Sequence, residues 1–242
     1  MSIWGSLIGG MIGLSLGGPF GMLLGSVIGG KISRTRSSGV NFSAFAQPQQ
    51  VFALSLIVLS AKLSKADGQV SKEELIAVKD KLKIPENEID NVGKIFNKAK
   101  EESSGYEPYA QQIAQIYKNN LIVLEEVINI LFYIAEADGN TSQSELNMIQ
   151  HIAQIFGLNQ SQFNSIRESR KSSDKLNPYI VLESKPEENL QTIRKKYLKL
   201  SKEHHPDILI SKGVPKEVIE ESKKKMRAIN SAWDQIQKLK AN

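Results

Sequence analysis

The sequence predicts an all-α protein with an N-terminal transmembrane helix, a helical bundle and a C-terminal hairpin of two helices. Three observations lead to this prediction. The first 30 residues carry no charge, the middle of the chain repeats one helix–turn–helix phrase, and the C-terminal part places apolar residues at helical spacing. The chain of 242 residues is long enough for more than one domain. It contains no cysteine, which excludes a disulfide framework and a cysteine-ligated metal.

Charge is distributed unevenly along the chain, whose net charge is +5. Residues 48–168 are acidic and residues 178–242 are basic, which predicts two units with different partners. Their opposite charges also leave open an autoinhibitory contact between them. Aromatic residues are few and no basic run is interleaved with them, so we expect no nucleic-acid partner.

Residues 1–32 are predicted to form a single transmembrane helix. A helix of about 28 uncharged residues would be about 42 Å long, more than the hydrocarbon core of about 30 Å. Lys31, Arg34 and Arg36 follow directly, and basic residues beside a span favour the cytoplasmic side. We therefore expect the N-terminus outside and all later residues inside. The tripeptide Gly17-Gly18-Pro19 leaves open a hairpin of two short arms instead.

Glycine recurs at every fourth residue from Gly5 to Gly29. Small residues at this spacing let two membrane helices approach closely, so the pattern predicts a homodimer through the membrane segment. Because four residues turn a helix by about 400°, the row drifts by about 40° per step and only a local patch can face a partner. The candidate residues are Gly9, Gly13, Gly17, Gly21 and Gly25. A glycine-rich anchor without specific pairing is the alternative.

The middle region, residues 48–170, follows a small and polar linker at 33–47 and contains an internal duplication. Apolar segments at 51–63 and 121–135 are too short to span a membrane and are predicted to be buried helices. Each is followed by nearly the same phrase. In it, Gly68 or Gly139 suits the left-handed residue that ends a helix, and a Ser-x-x-Glu sequence has the spacing of a capping box.

The repeated turns also carry the acidic residues of a candidate divalent-metal site, Asp67, Glu74, Asp138 and Glu145. These carboxylates could converge if the two repeats pack symmetrically. The pattern is not that of an EF-hand loop, which needs alternating oxygen ligands over twelve positions. The alternative is that each aspartate closes its turn and each glutamate caps its helix.

The phrase Ala-Asp-Gly-x-x-Ser/Thr-x-x-Glu after a buried helix resembles the TerB-type helical domain over about residues 48–168. That resemblance implies an α-helical bundle with a capacity for metal binding and no settled activity. Further helices are predicted at 86–101, 107–118 and 160–170, which gives a bundle of about seven helices.

After a linker at 171–176, residues 177–242 are predicted to form a helical hairpin. The apolar face of its first helix comprises Leu190, Ile193, Tyr197 and Leu200, at spacings of three and four. Another face is basic and comprises Arg194, Lys195, Lys199 and Lys202. The second helix is predicted to begin at Pro215 and to turn Ile219, Met226, Ile229, Trp233 and Ile236 inward.

The tripeptide His205-Pro206-Asp207 connects these two helices. Proline fixes its own φ and excludes the preceding residue from the helical region, so the first helix must end near His204. The tripeptide is therefore predicted to lie at a rigid, exposed tip. A His-Asp pair can serve acid–base catalysis, but the sequence shows no nucleophile or third member, so we expect no enzyme and no cofactor.

The order of these features resembles a J domain. A short apolar helix, the basic helix, the tripeptide and then residues 229–233 follow one another at suitable spacing. The whole arrangement resembles the DjlA-type family of bacterial membrane-anchored J-domain co-chaperones. This resemblance implies that His205, Pro206 and Asp207 stimulate ATP hydrolysis by a DnaK-class chaperone, and that the basic face meets an acidic surface on it. It also implies a place at the inner membrane, with a periplasmic N-terminus and cytoplasmic C-terminal domains.

Three features depart from the common J-domain pattern. Ile208 stands where a basic residue often follows the tripeptide, Glu183 stands where glycine is frequent, and the loop to Pro215 is long. The sequence also lacks a Gly/Phe-rich segment and a zinc-binding cysteine repeat, so we do not expect a general client-delivering J protein. The alternative function is a metal-responsive or envelope-stress adaptor that acts through the TerB-like region.

Overall fold

The computed structural model describes residues 18–28, 48–65, 76–80, 83–103, 105–137, 139, 141–214, 216 and 219–241. Within these residues every regular element is a helix, which confirms the predicted all-α class. In chain order the α-helices are α1 (Gly18–Ile28), α2 (Pro48–Leu63), α3 (Ile89–Glu101), α4 (Glu107–Ile116), α5 (Leu121–Ala135), α6 (Gln143–Ile155), α7 (Gln160–Glu168), α8 (Pro178–Val181), α9 (Leu190–Glu203), α10 (Pro206–Ser211) and α11 (Ile219–Ala241). Residues 76–80 are also helical, and a 3₁₀ turn at Glu86–Glu88 leads into α3.

Helices α2 and α5 form the centre of the bundle. Almost every described side chain of these two helices is buried, as their nearly uninterrupted apolar sequences predict. The amphipathic helices α3, α4, α6 and α7 pack around them. The rings of Phe132 in α5 and Phe163 in α7, for example, have centroids 5.5 Å apart. The helices predicted in this region are therefore confirmed, with small shifts at their ends.

The second copy of the repeated turn has the predicted left-handed glycine and the predicted capping box, although α5 ends at Ala135, four residues before Gly139. Gly139 has φ +87°, a left-handed conformation that glycine adopts without steric cost. The hydroxyl of Ser142 accepts the N–H of Glu145 at 3.2 Å, and Oε2 of Glu145 accepts the N–H of Ser142 at 2.8 Å. This reciprocal pair is the predicted capping box, and it begins α6. The first copy, with Gly68, lies outside the described residues.

Helix α1 packs on the bundle through three apolar side chains. Phe20, Leu23 and Leu24 are buried against α3 and α4, and the ring of Phe20 meets Tyr109 edge-on with centroids 5.1 Å apart. Gly18, the first described residue of this helix, has φ +66°, a left-handed angle that glycine adopts without steric cost. Among the described residues, no helix is both long and apolar enough to cross a bilayer.

Only part of the predicted membrane segment can be compared with the structure. Gly21 and Gly25 lie in α1, and a Cβ built on Gly25 meets open space. Gly9, Gly13 and Gly17 lie outside the described residues, as do the rest of the predicted span and the linker that follows it. The homodimer through these glycines stays a prediction.

The C-terminal helices form the predicted hairpin around a core of their own. The buried members of this hairpin core are Leu176, Val181, Leu182, Ile193, Leu200, Ala228, Ile229, Ala232, Trp233 and Ile236. The rings of Tyr197 and Trp233 stack with centroids 5.1 Å apart. Three details differ from the sequence prediction. Leu190, predicted on the apolar face of the first helix, is 39% exposed. Residues 206–211 form the short helix α10 inside the expected loop, and Met226 is only half-buried whereas its neighbour Lys225 is buried.

Candidate functional site

The His-Pro-Asp tripeptide lies at the junction of α9 and α10. Helix α9 ends at Glu203 with His204 as its cap, which confirms the predicted end of this helix. His205 has the extended angles φ −63° and ψ 133° that a following proline favours. Its Nδ1 accepts the backbone N–H of Asp207 at 3.2 Å, so His205 also caps α10, in which Pro206 is the first residue. Two caps and a proline thus fix the backbone of the tip.

Both ionisable side chains of the tripeptide face the solvent. The side chain of His205 is 51% exposed and that of Asp207 is 86% exposed. His205 Nδ1 and Asp207 Oδ2 are 3.8 Å apart, and an exposed pair of this kind contributes little to stability. Their arrangement therefore suits contact with another molecule better than a structural role.

The basic face of α9 is also exposed, and it consists of Arg194, Lys195, Lys199 and Lys202. Lys196, by contrast, is half-buried and donates to the carboxylate of Glu188 and to the carbonyl oxygen of Glu183, each at 2.8 Å. Several positive charges on one exposed face attract an acidic surface at long range. The basic face and the tip at its end together form a candidate docking site for an acidic partner.

His204, the residue just before the tripeptide, turns into the protein. Its side chain is 2% exposed, and its Nε2 lies 3.3 Å from Oε2 of Glu125 in α5. Lys225 in α11 is equally buried, and its Nζ donates to the same oxygen at 3.0 Å. The other carboxylate oxygen, Oε1, accepts from Nε2 of Gln162 in α7 at 2.8 Å. We call these four residues the buried cluster.

The buried cluster keeps Glu125 charged and His204 neutral near neutral pH. Burial by itself would raise the pKa of Glu125, but the positive charge of Lys225 and the contact with His204 lower this pKa to about 2. Burial, and then the charge of Lys225, lower the pKa of His204 to about 4 against the opposing effect of Glu125. His204 Nε2 is too poorly aligned for a regular hydrogen bond, so the ion pair at neutral pH joins Glu125 to Lys225.

Apolar residues after the tripeptide complete the contact between the hairpin and the bundle. Leu209 in α10, Val214 and Ile219 are buried in the large core of the bundle and do not belong to the hairpin core. On α7, the hydroxyl of Ser165 donates to the carbonyl oxygen of Val181 at 2.7 Å. The two regions therefore touch. This contact leaves the tripeptide and the basic face exposed, so it does not cover the surface that an autoinhibitory contact would have to block.

The buried cluster was not predicted from the sequence. One signal for it exists, because Glu125 and Glu126 interrupt the otherwise apolar first half of α5, and a charge in a buried helix needs a partner. His204 and Lys225 carry no such signal. Both belong to strongly polar segments that are typical of a solvated surface.

The candidate metal site is described only at Glu145. One oxygen of this buried side chain caps α6, which is the structural role that the sequence left open as an alternative. Asp67, Glu74 and Asp138 lie outside the described residues. Within the part of the chain that the structure describes, no group of three His, Asp or Glu side chains could hold a metal ion. The four-carboxylate site stays a prediction.

Comparisons with known proteins show that the chain is similar to co-chaperones. A model of the family "Tellurite resistance protein TerB" matches residues 53–168, and a model of the co-chaperone DjlA transmembrane domain matches residues 1–39. Similar proteins include the co-chaperone protein DjlA of Escherichia coli (strain K12), which is 25% identical over 99% of both chains. The DjlA protein of Photobacterium profundum is 25% identical over 98% of this chain and 99% of its own. The DjlA protein of Vibrio parahaemolyticus is 27% identical over 81% of this chain and 80% of its own. No solved structure matches significantly. The predicted resemblances to TerB-type domains and to DjlA-type co-chaperones are confirmed.

Proposed function

We propose that this chain, a membrane-associated co-chaperone of the DjlA type, binds a DnaK-class chaperone and stimulates its ATP hydrolysis through His205, Pro206 and Asp207. The observation that carries the proposal is the exposed tripeptide, fixed by a proline and two helix caps at the end of a basic helix. Similarity to co-chaperones along nearly the whole chain supports it. Because hydrolysis takes place on the partner, the chain itself needs no catalytic group and no cofactor.

The two parts of the docking site have different tasks in this function. Arg194, Lys195, Lys199 and Lys202 accelerate the encounter with an acidic surface of the chaperone, and salt screens this effect. The tip acts after the encounter. Its fixed backbone presents an imidazole and a carboxylate in one arrangement, so little conformational freedom is lost on binding. Loss of a lysine should therefore weaken binding, whereas loss of the imidazole should remove stimulation.

Single-turnover ATP hydrolysis by a purified bacterial DnaK-class chaperone tests the proposal. We expect the full chain, held in detergent micelles, to accelerate hydrolysis and His205→Gln to abolish the acceleration. His151→Gln is the matched control, since His151 is an exposed histidine on α6, outside the docking site. Equal acceleration by the wild type and by His205→Gln would contradict the proposed role of the tripeptide.

The co-chaperone is proposed to act at the cytoplasmic face of the bacterial inner membrane. The family match of residues 1–39 and the basic residues after the apolar segment support a membrane anchor with a periplasmic N-terminus. Because the chain has no cysteine, Ser2→Cys introduces a single thiol that reports the orientation. A membrane-impermeant thiol reagent should label this variant in intact spheroplasts. Labelling only after lysis would reverse the proposed orientation.

We also propose that two copies pair through the glycines of the membrane segment, since small residues four apart permit a close crossing of two helices. Replacing Gly13, Gly17 and Gly21 by leucine should abolish pairing in a membrane two-hybrid assay. Pairing that survives these substitutions would exclude the glycine mechanism and leave the alternative of an anchor without specific pairing.

A further inference from the structure

The tripeptide projects from the protein, but both of its flanks are anchored to the bundle. His204, directly before it, belongs to the buried cluster, and Leu209, shortly after it, is fully buried in the core of the bundle. Neither residue belongs to the hairpin core, which is built from other side chains. The position of the tip is therefore set by contacts with the bundle as much as by the hairpin itself.

One carboxylate of the bundle joins the helices on the two sides of the tip. Oε2 of Glu125 lies 3.3 Å from His204 at the end of α9 and 3.0 Å from Lys225 in α11. Gln162 holds the other oxygen and so fixes the orientation of the carboxylate. These side chains of His204, Glu125 and Lys225 are at most 6% exposed. The attraction between Glu125 and Lys225 is therefore screened much less than that of a surface pair.

The hairpin depends on this carboxylate. Without Glu125, Lys225 would be a buried cation beside a histidine, and a buried charge that has lost its partner is strongly unfavourable. The hairpin would relax by moving Lys225 towards water. Any such movement shifts α11 against the end of α9, which is the place where the tripeptide is attached.

We propose that Glu125 of the TerB-like bundle is a positioning residue for the His-Pro-Asp tip, and that it acts through His204 and Lys225. The inference rests on the proposed function and assigns the bundle a direct part in stimulation. A small displacement of a positioned group is enough to lower a rate strongly. The basic face lies outside the buried cluster, so the affinity for the chaperone should depend little on Glu125.

Glu125→Gln in the full chain tests this assignment, with Glu126→Gln as the matched control. Both residues are buried glutamates of α5, but Glu126 accepts a hydrogen bond from Asn129 of its own helix at 3.3 Å. We expect Glu125→Gln to lower the maximal acceleration of ATP hydrolysis about tenfold with an unchanged half-saturating concentration. Glu126→Gln should retain the maximal acceleration. A purely stabilising role would reduce only the folded fraction, which circular dichroism measures at the assay temperature.

A double variant, Glu125→Gln/Lys225→Met, keeps the test decisive if the single variant unfolds. Replacing a buried ion pair by uncharged groups of similar size is often neutral for stability, so this variant is expected to fold. It still lacks the carboxylate that ties the tip to the bundle, and it should show the same loss of maximal acceleration. Full acceleration by the folded double variant would overturn the proposal.

Amide hydrogen exchange tests the positioning role without a chaperone. Exchange at residues 204–214 should be faster in Glu125→Gln than in the wild type and in Glu126→Gln. If the wild type accelerates hydrolysis and Glu125→Gln does so equally, the positioning role fails and the proposed function stands. If the wild type accelerates no DnaK-class chaperone, the proposed function fails. In that case, exchange at 204–214 that is the same in Glu125→Gln and in the wild type shows that Glu125 does not anchor the tip either. Faster exchange in Glu125→Gln supports the anchoring.

Discussion

His204 and His205 are neighbours in the sequence with opposite environments. The side chain of His204 is 2% exposed and that of His205 is 51% exposed. His204 caps α9, and its side chain lies on the side of the helix that faces the bundle. The backbone of His205 is extended, which turns the His205 side chain out to solvent. One residue type at consecutive positions thus serves a contact inside the chain and a candidate contact with a partner.

The same contrast separates two sets of charges on the hairpin. The cations of the basic face are solvated, so each contributes little to stability and is screened by salt. Lys225 of the buried cluster is removed from water and depends on Glu125. Substitutions in the basic face should therefore affect partner binding, whereas substitutions in the buried cluster should affect the folded structure.

Substituting the two histidines by glutamine should have very different effects on stability. His204→Gln should lower the free energy of unfolding by about 2 kcal/mol, because it disturbs a packed and buried polar group. His205→Gln should change it by less than about 0.5 kcal/mol, because the side chain is largely exposed. Urea unfolding of the two variants and the wild type measures both values. Equal destabilisation by the two substitutions would erase the proposed difference between them.

The burial of His204 should make the free energy of unfolding depend on pH. The folded-state pKa of His204, about 4, lies below the ordinary value of 6.5, so between these values the unfolded chain binds more protons. The free energy of unfolding should fall as the pH falls through this window, in total by about 3 kcal/mol. The lowered pKa of Glu125 contributes stability above pH 4.5, and this part is lost as the pH falls towards about 2.

Urea midpoints at about pH 7.5 and about pH 5 measure most of the first of these windows, about 2 kcal/mol of the total. We expect His204→Gln to flatten the dependence, since the variant cannot take up this proton on unfolding. His205→Gln is the control and should keep the slope of the wild type. If the free energy of unfolding of His204→Gln depends on pH as strongly as that of the wild type, other groups cause the pH dependence.

The smallest effect is expected at Glu183, which tests whether the backbone near the buried cluster is strained. This residue has φ +50°, a left-handed angle that glycine adopts without cost, and glycine is frequent here in the common J-domain pattern. Burial, and then the negative charge of Glu125, raise the pKa of the Glu183 carboxyl. Glu183→Gly should raise the free energy of unfolding by about 0.5–1 kcal/mol. Urea unfolding measures this change. The adjacent control, Ser184→Gly, should lower the free energy of unfolding. A loss of stability in both variants would refute strain at Glu183.

The sequence by itself determined the local features of this protein. Apolar runs gave the buried helices, Ser142 and Glu145 gave the capping box, and Pro206 gave the end of α9 and the exposed tip. These features could be predicted because they depend on residues within a few positions of one another, through backbone sterics and capping bonds. The exposed basic face was predictable for a similar reason, since helical spacing decides which side chains share a face.

Only the tertiary structure decided how the hairpin and the bundle meet. Lys225 and Glu125 are 100 positions apart, and the segment around Lys225 has the sequence of a solvated helix although its side chain is buried. Leu209 likewise lies in the region predicted to be a loop, yet it forms part of the core of the bundle. A charge or an apolar side chain acquires such a partner only when two distant surfaces dock, and no local spacing in the sequence encodes which surfaces those are.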